Sequence, residues 1–302
     1  MTRKERVSEA ITFHNTDFVP YNISLTTQAF EKTAEYLNSR TFMENVGNHI
    51  SGMAFGFALK EVRPGYFMDD FGVVWNRTGV DKDIGVIDNI MIPEPDVEMY
   101  DFPEIPSESI RRDCEKTIAD KKDTFVAANL VFSLFERAWT LTGMENLLAY
   151  MLLEPDFVHK LLRRITDLNI EVLKIYMEYD FDCIHFGDDW GKQKGLIMGP
   201  ELWRKFIKPY LSEMYDFIKS GGKFISQHSC GDITDVFDDL ADIGLNIYQT
   251  FQPEIYDIKS VKAKYGGRLS FWGGISTICT KIINLRTFAC ERPTFVFQLR
   301  SF

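Results

Sequence analysis

The stretch Lys223-Phe224-Ile225-Ser226-Gln227-His228-Ser229-Cys230-Gly231-Asp232 reads as a short strand that ends in an imidazole and a thiol. Successive strand side chains alternate faces, so His228 and Cys230, two positions apart, point the same way and can converge on one metal ion or one substrate. Gly231 ends the strand, and Asp232 is placed to cap a helix predicted over 233–243. Strand, reactive loop and helix in that order form the unit from which α/β barrels build active sites at the C-terminal ends of their strands.

Working outward, strand-like runs recur at 18–25, 73–76, 125–131, 181–186, 246–250 and 268–272. From the third of these onward they alternate with segments whose apolar residues fall at three- and four-residue spacing, at 142–151, 156–179, 199–220 and 255–265. The alternation predicts parallel strands joined by helical crossovers, hence a barrel or an open doubly wound sheet. No Gly-rich phosphate fingerprint follows any strand, and the lone pair Gly273-Gly274 does not make one, which favours the barrel. The residues therefore read as a single α/β domain over 1–302, a barrel ahead of an open sheet, with an N-terminal amphipathic helical extension.

Composition narrows the function. Hydrophobic residues make up 45% and charged residues 26% of the 302, the balance of a globular enzyme, and 25 Phe predict an aromatic interior. A net charge of -10 with scattered Lys and Arg argues against nucleic acid as a partner. The opening residues lack the apolar centre of a signal peptide, and no apolar run reaches the ~20 residues of a membrane helix. The expected compartment is the cytoplasm, with no membrane partner. Cys114, Cys183, Cys230, Cys279 and Cys290 show no paired spacing and are expected to be reduced thiols.

The segment 278–302 is atypical, with Lys281, Arg286, Arg292 and Arg300 against the single acid Glu291. Either 278–290 forms a short crossover helix and 294–299 the final strand, or the C-terminal end of the barrel is incomplete.

Three clusters carry candidate chemistry. His228 and Cys230 offer two of the three protein ligands that a catalytic zinc site uses, and no spacing rule selects the third. Phe186-Gly187-Asp188-Asp189-Trp190-Gly191 follows an apolar strand and places two carboxylates where barrel sites form. Neighbouring acids repel, which raises one of them into the range useful for proton transfer. His185, inside that strand, reads as a core histidine. Met68-Asp69-Asp70-Phe71-Gly72 is a third acidic turn, in which Asp also serves local hydrogen bonding.

In order along the chain, several blocks resemble the uroporphyrinogen decarboxylase superfamily. They are Arg3-Lys4-Glu5-Arg6-Val7 to Pro20, Phe135-Glu136-Arg137-Ala138 with Leu141-Thr142-Gly143, and Glu154-Pro155. Further blocks are Phe186 to Gly191, Gly199-Pro200-Glu201-Leu202-Trp203 with Phe206 and Pro209-Tyr210, and Gly273-Gly274-Ile275-Ser276. The resemblance implies a (β/α)8 TIM barrel and a homodimer. In the branch of cobalamin-dependent methyltransferases, the His-x-Cys-Gly motif and a later Cys bind zinc. That implies His228 and Cys230 as ligands, a corrinoid protein as partner, and a methyl group moving between the corrinoid and a small substrate or thiol. It further implies Asp188, Asp189 and Asp70 as catalytic residues and Trp190, Gln227 and Tyr210 as substrate-binding residues. The other chemistry is decarboxylation of a porphyrinogen using Asp70. The stretch Asn22-Ile23-Ser24-Leu25-Thr26-Thr27-Gln28, however, lacks the arginines that a poly-anionic substrate needs. A third reading is an inactive, truncated barrel that only binds a tetrapyrrole or a corrinoid protein. This sequence departs from the family at about Ile278, where the third zinc ligand would follow.

Overall fold

A computed structural model of the protein describes residues 1–25, 27–55, 59–79, 85–274 and 295–301. Eight strands form one all-parallel sheet: β1 (Tyr21–Leu25), β2 (Ile50–Phe55), β7 (Phe125–Leu130), β8 (Cys183–Gly187), β9 (Phe224–His228), β10 (Ile247–Phe251), β11 (Ser270–Gly274) and β12 (Phe295–Ser301). Their spatial order is β1-β12-β11-β10-β9-β8-β7-β2, so sequence neighbours are spatial neighbours from β7 to β12. The two ends of the sheet meet. The His49 amide donates to Tyr21 O at 3.0 Å, and the Asn48 side chain accepts from Ile23 N and donates to Ile23 O, both at 2.8 Å. An asparagine amide thus stands in for the missing ladder and closes the barrel.

Of the two readings of the C-terminal segment, the final strand at 294–299 has its counterpart in β12, paired parallel to β11 on one side and β1 on the other. The expected helix at 278–290, with Cys279 and Cys290, lies outside the described residues. The expected barrel strand at 73–76 is instead β5 (Val74–Asn76), part of a separate antiparallel sheet with β3 (Lys60–Arg63), β4 (Tyr66–Met68) and β6 (Val86–Ile87). Only its central residue, Trp75, is buried, whereas a barrel strand is covered on both faces. The barrel position belongs to β2, whose sequence Ile-Ser-Gly-Met-Ala-Phe mixes small and polar residues and shows no apolar run.

Alternation sorts the strand residues into two clusters. Val126, Ala128, Leu130, Ile184, Phe186, Ile225, Tyr248 and Phe271 face outward onto the helices, which include α3 (Ser107–Asp120), α4 (Phe135–Thr142), α5 (Met144–Leu153) and α6 (Pro155–Met177). Also outside is the run of α7 (Pro200–Leu202), a π-helical turn at Trp203–Ile207 and α8 (Lys208–Ser220), followed after β9 by α9 (Phe237–Asp242) and α10 (Ile258–Tyr265). Facing inward near the strand starts are Ile50, Phe125, Ala127, Cys183, Ile247 and Trp272. Against them packs α1 (Arg3–Ile11), whose Val7 and Ile11 are buried and whose start carries a capping box between Thr2 and Glu5. The N-terminal extension is therefore a plug across the bottom of the barrel. No helix among the described residues is long and apolar enough to cross a membrane.

Candidate metal centre

At the opposite, C-terminal end of the strands, Asp189, His228 and Cys230 bring one ligand atom each to within 4.8 Å of one another. His228 is the last residue of β9, its side chain on the inner face, and Cys230 follows two residues on. Asp189 comes from the loop after β8, the neighbouring strand. His228 Nε2 lies 3.2 Å from Asp189 Oδ1 and 3.5 Å from Cys230 Sγ, and the Cys230 amide donates to Asp189 Oδ1 at 2.7 Å. On its far side the ring meets Gln249 of β10, whose Oε1 can only accept, so Nδ1 carries the hydrogen and Nε2 faces the cluster.

The loops that carry these groups touch through backbone. A Cβ on Gly191 would come within 2.5 Å of Cys230 O, and one on Gly231, at φ +77°, within 2.3 Å of Gly191 C. Both positions need glycine, and the Gly191 amide donates across the crossing to Cys230 O at 3.1 Å. Asp232 accepts from Thr234 N at 3.0 Å in a local turn, but the cap expected of it is not formed: the helix behind it begins as a single 3-10 turn capped at Ile233 without a side-chain bond, before α9. Two buried tyrosines hold the loop from outside. Tyr248 donates to Ser229 O at 2.8 Å; Tyr256 donates to Gly231 O at 2.6 Å and accepts from Ile233 N at 3.1 Å. Tyr256→Phe strands both Gly231 O and Ile233 N. It is expected to cost about 1–3 kcal/mol in urea unfolding and to speed the reaction of Cys230 with a thiol reagent. Unchanged values for both would contradict this bracing.

The electrostatics follow from burial in company. Burial disfavours a charged His228, but hydrogen bonds with Asp189 and Cys230 and their charge outweigh it and push the ring up to about 10. Burial also opposes charge on Asp189, whose carboxyl the contacts with His228 and the Cys230 amide nevertheless hold below the ordinary range. Glu136, in the first turn of α4, is pushed up to about 8, first by burial and then by the charges of Asp189 and Asp188.

The other residues singled out in the sequence take different places. Asp188 is fully buried at the start of α4, accepting from Phe135 N at 2.9 Å, Glu136 N at 2.7 Å and Trp190 Nε1 at 2.6 Å. Burial raises it to about 6 despite these donors. It ties β8 to α4 and so sets the position of Glu136. Trp190 is buried edge-on against Trp203 rather than open to the barrel mouth. Gln227 is on the outer face of β9, accepting from Tyr215 at 2.8 Å, because its neighbour His228 faces in. Tyr210 is on α8, donating to His159 O at 2.9 Å, away from the cluster. Asp70 is exposed, and the buried acid of that turn is Asp69, paired with Arg137 at 3.0 Å. His185 is half-buried on the inner face of β8, its ring centroid 6.4 Å from that of His228. Spacing singles out neither Glu136 nor Gln249 in this region, and His185, expected in the core, lines the interior instead.

One imidazole nitrogen, one sulfur and one carboxylate oxygen form a donor set that zinc accepts. A model of the uroporphyrinogen decarboxylase (URO-D) family matches residues 86–280. No curated protein matches the chain. Among solved structures, a methyltransferase from Methanosarcina mazei superposes with a TM-score of 0.66 at 18% identity, covering 93% of this chain and 85% of that one. At that identity the likeness speaks for the fold.

Proposed function

We propose, for a chain that belongs to the uroporphyrinogen decarboxylase (URO-D) family, a zinc-assisted transfer of a methyl group between a small substrate or thiol and a corrinoid presented by a partner protein. The observation that carries this reading is the convergence of Asp189, His228 and Cys230 at the C-terminal mouth of the barrel. Asp189 takes the place of the third ligand that spacing left open. The likeness to a methyltransferase fold supports the same reading. Porphyrinogen decarboxylation is less well served, since strands β1, β2 and β7–β11 contain no Arg or Lys to meet a ring of carboxylates.

Zinc bound by these residues would supply the Lewis acidity that keeps a substrate thiol ionised near neutral pH. The chain's own residues do the rest. Gln249 holds the His228 ring with Nε2 toward the ligand position. Asp189 balances positive charge there, and the Cys230 amide fixes its carboxylate. Glu136, close enough to feel the charges of Asp189 and His228 and raised to about 8, holds a proton near neutral pH that it can donate at the edge of the cluster.

Elemental analysis tests the reading. The protein is expected to hold about one zinc per chain, lost in both His228→Ala and Cys230→Ala, with affinity weakened at least tenfold in Asp189→Ala. Absence of metal in protein refolded with zinc would overturn the assignment.

A further inference from the structure

The helix across the floor of the barrel is held there in part by a permanent cation resting on an imidazole. Arg6, on the buried face of α1, places Nη1 2.8 Å from Nε2 of His49, the residue that leads into β2. Both residues are sealed, Arg6 at 5% and His49 at 2% exposure. A guanidinium has only donors and keeps its charge at any ordinary pH, so His49 Nε2 must accept and the ring must be neutral. Arg6 is also fixed in place. Its Nε and Nη2 donate to the two Asp17 oxygens at 2.5 and 2.8 Å, Nη2 donates again to Met1 O at 2.9 Å, and the Phe18 ring covers the guanidinium at 3.7 Å. From β1 the Tyr21 ring packs against His49, its hydroxyl committed to Val46 O.

The surrounding charges do not relieve a protonated ring. Burial and the Arg6 charge hold His49 below the ordinary histidine range, against the weaker pull of the Tyr21 carbonyl, and Arg3 opposes charge there while Asp123 favours it. Asp123 is itself engaged by Arg3, and Lys4 by Asp182. Asp17 and Asp123 are held below the ordinary carboxylate range by Arg6 and Arg3, so both keep their charge at mildly acid pH. His14, the other imidazole beside α1, is exposed and rests on Glu9. A proton on His49 Nε2 would set two donors and two positive charges face to face. We infer that the contact between Arg6 and His49 is a pH-sensitive latch for α1, which stays seated across the bottom of the barrel while His49 is neutral and loosens when His49 takes a proton. The folded chain keeps His49 neutral where the unfolded chain is protonated, so the latch is fully closed above the ordinary histidine range and weakens as pH falls through it. It lies at the opposite end of the strands from Asp189, His228 and Cys230 and acts whether or not metal is bound there.

Two buried thiols of the full chain report on it. Cys183 belongs to the cluster that Val7 and Ile11 cover, whereas Cys114, on α3, is buried outside the barrel. Alkylation of both by iodoacetamide, read peptide by peptide in one sample, gives a ratio in which the pH dependence of the thiols themselves cancels. The ratio of Cys183 to Cys114 is expected to rise about tenfold from about pH 7.5 to about pH 5.5, the change that a histidine of ordinary unfolded range delivers over that interval. It is expected to stay flat in His49→Gln, whose amide still accepts from Arg6 and cannot take a charge. Arg6→Gln removes the opposing cation and is expected to raise the ratio at both pH values, without pH dependence. A flat ratio in the wild type would overturn the latch, and so would an acid-induced rise that survives in His49→Gln or in Arg6→Gln.

Discussion

Arg137→Met is expected to destabilise the protein by about 3–5 kcal/mol, among the largest losses available to one substitution in this fold. The Arg137 guanidinium donates to Asp69 Oδ2 at 3.0 Å and lies 3.9 Å from the centroid of the Phe71 ring, and both charged groups are buried. Asp69 also accepts from Phe71 N and Val73 N, each at 3.0 Å, and from Trp75 Nε1 at 3.4 Å. Removing the cation leaves a carboxylate sealed from water among donors that neutralise it only in part. The pair joins the antiparallel sheet to α4, the helix that carries Glu136. Thermal unfolding should fall by roughly 5–8 °C. The double change Asp69→Asn with Arg137→Met should recover much of the loss, because the unpaired charge is the larger part of the cost. A single variant that unfolds within about 1 kcal/mol of the wild type would contradict the buried pair.

Glu136→Gln is expected to act in the opposite sense, and only at higher pH. The Glu136 carboxyl is raised to about 8 by burial and by Asp189 and Asp188, whereas in the unfolded chain it ionises in the ordinary carboxylate range. The folded state therefore holds a proton that the unfolded state has already released. Stability is full below the ordinary range and declines as pH rises toward 8. Glutamine cannot ionise, so the metal-free variant should match the wild type near pH 4.5 and exceed it by on the order of 3 kcal/mol near pH 8.5. Urea midpoints at the two pH values measure this. An equal difference at both would show that Glu136 does not hold its proton in the folded chain. If the proposed chemistry is right, the same variant loses turnover while gaining stability, the exchange expected where a site holds charges that the fold alone would not keep.

The barrel was legible because helix and strand periods alternate cleanly from residue 125 to residue 274, and each strand from β7 to β10 is followed by a helix that covers the outer face. The first third was harder. The Val-Val-Trp run has the composition of a barrel strand yet pairs antiparallel, whereas β2, with Ser51, Gly52 and Ala54, lacks the apolar signal. His228 and Cys230 followed from strand alternation alone, and the same rule sends Gln227 to the outer face. Between adjacent acids, spacing has no such power. Asp188 turns in to cap α4 while Asp189 meets His228, and Asp69 is buried while Asp70 is exposed. Loop backbone decides these, as the crossing at Gly191 and Gly231 does for the loops that carry Asp189 and Cys230. Glu136 did leave a signal, an acid in the first turn of a helix that follows a strand's C-terminal end, where barrel sites gather.

The helix across the floor of the barrel makes the interior a well with one rim. Val7 and Ile11 seal the end where the strands begin, so whatever reaches His228 arrives and departs over the rim formed by the loops after the strands. Under the proposed reaction, a small substrate at His228 would lie below a partner protein that stands at that rim. In that reaction the small substrate would enter first, the partner would then cover it, and the product would leave only after the partner had moved away.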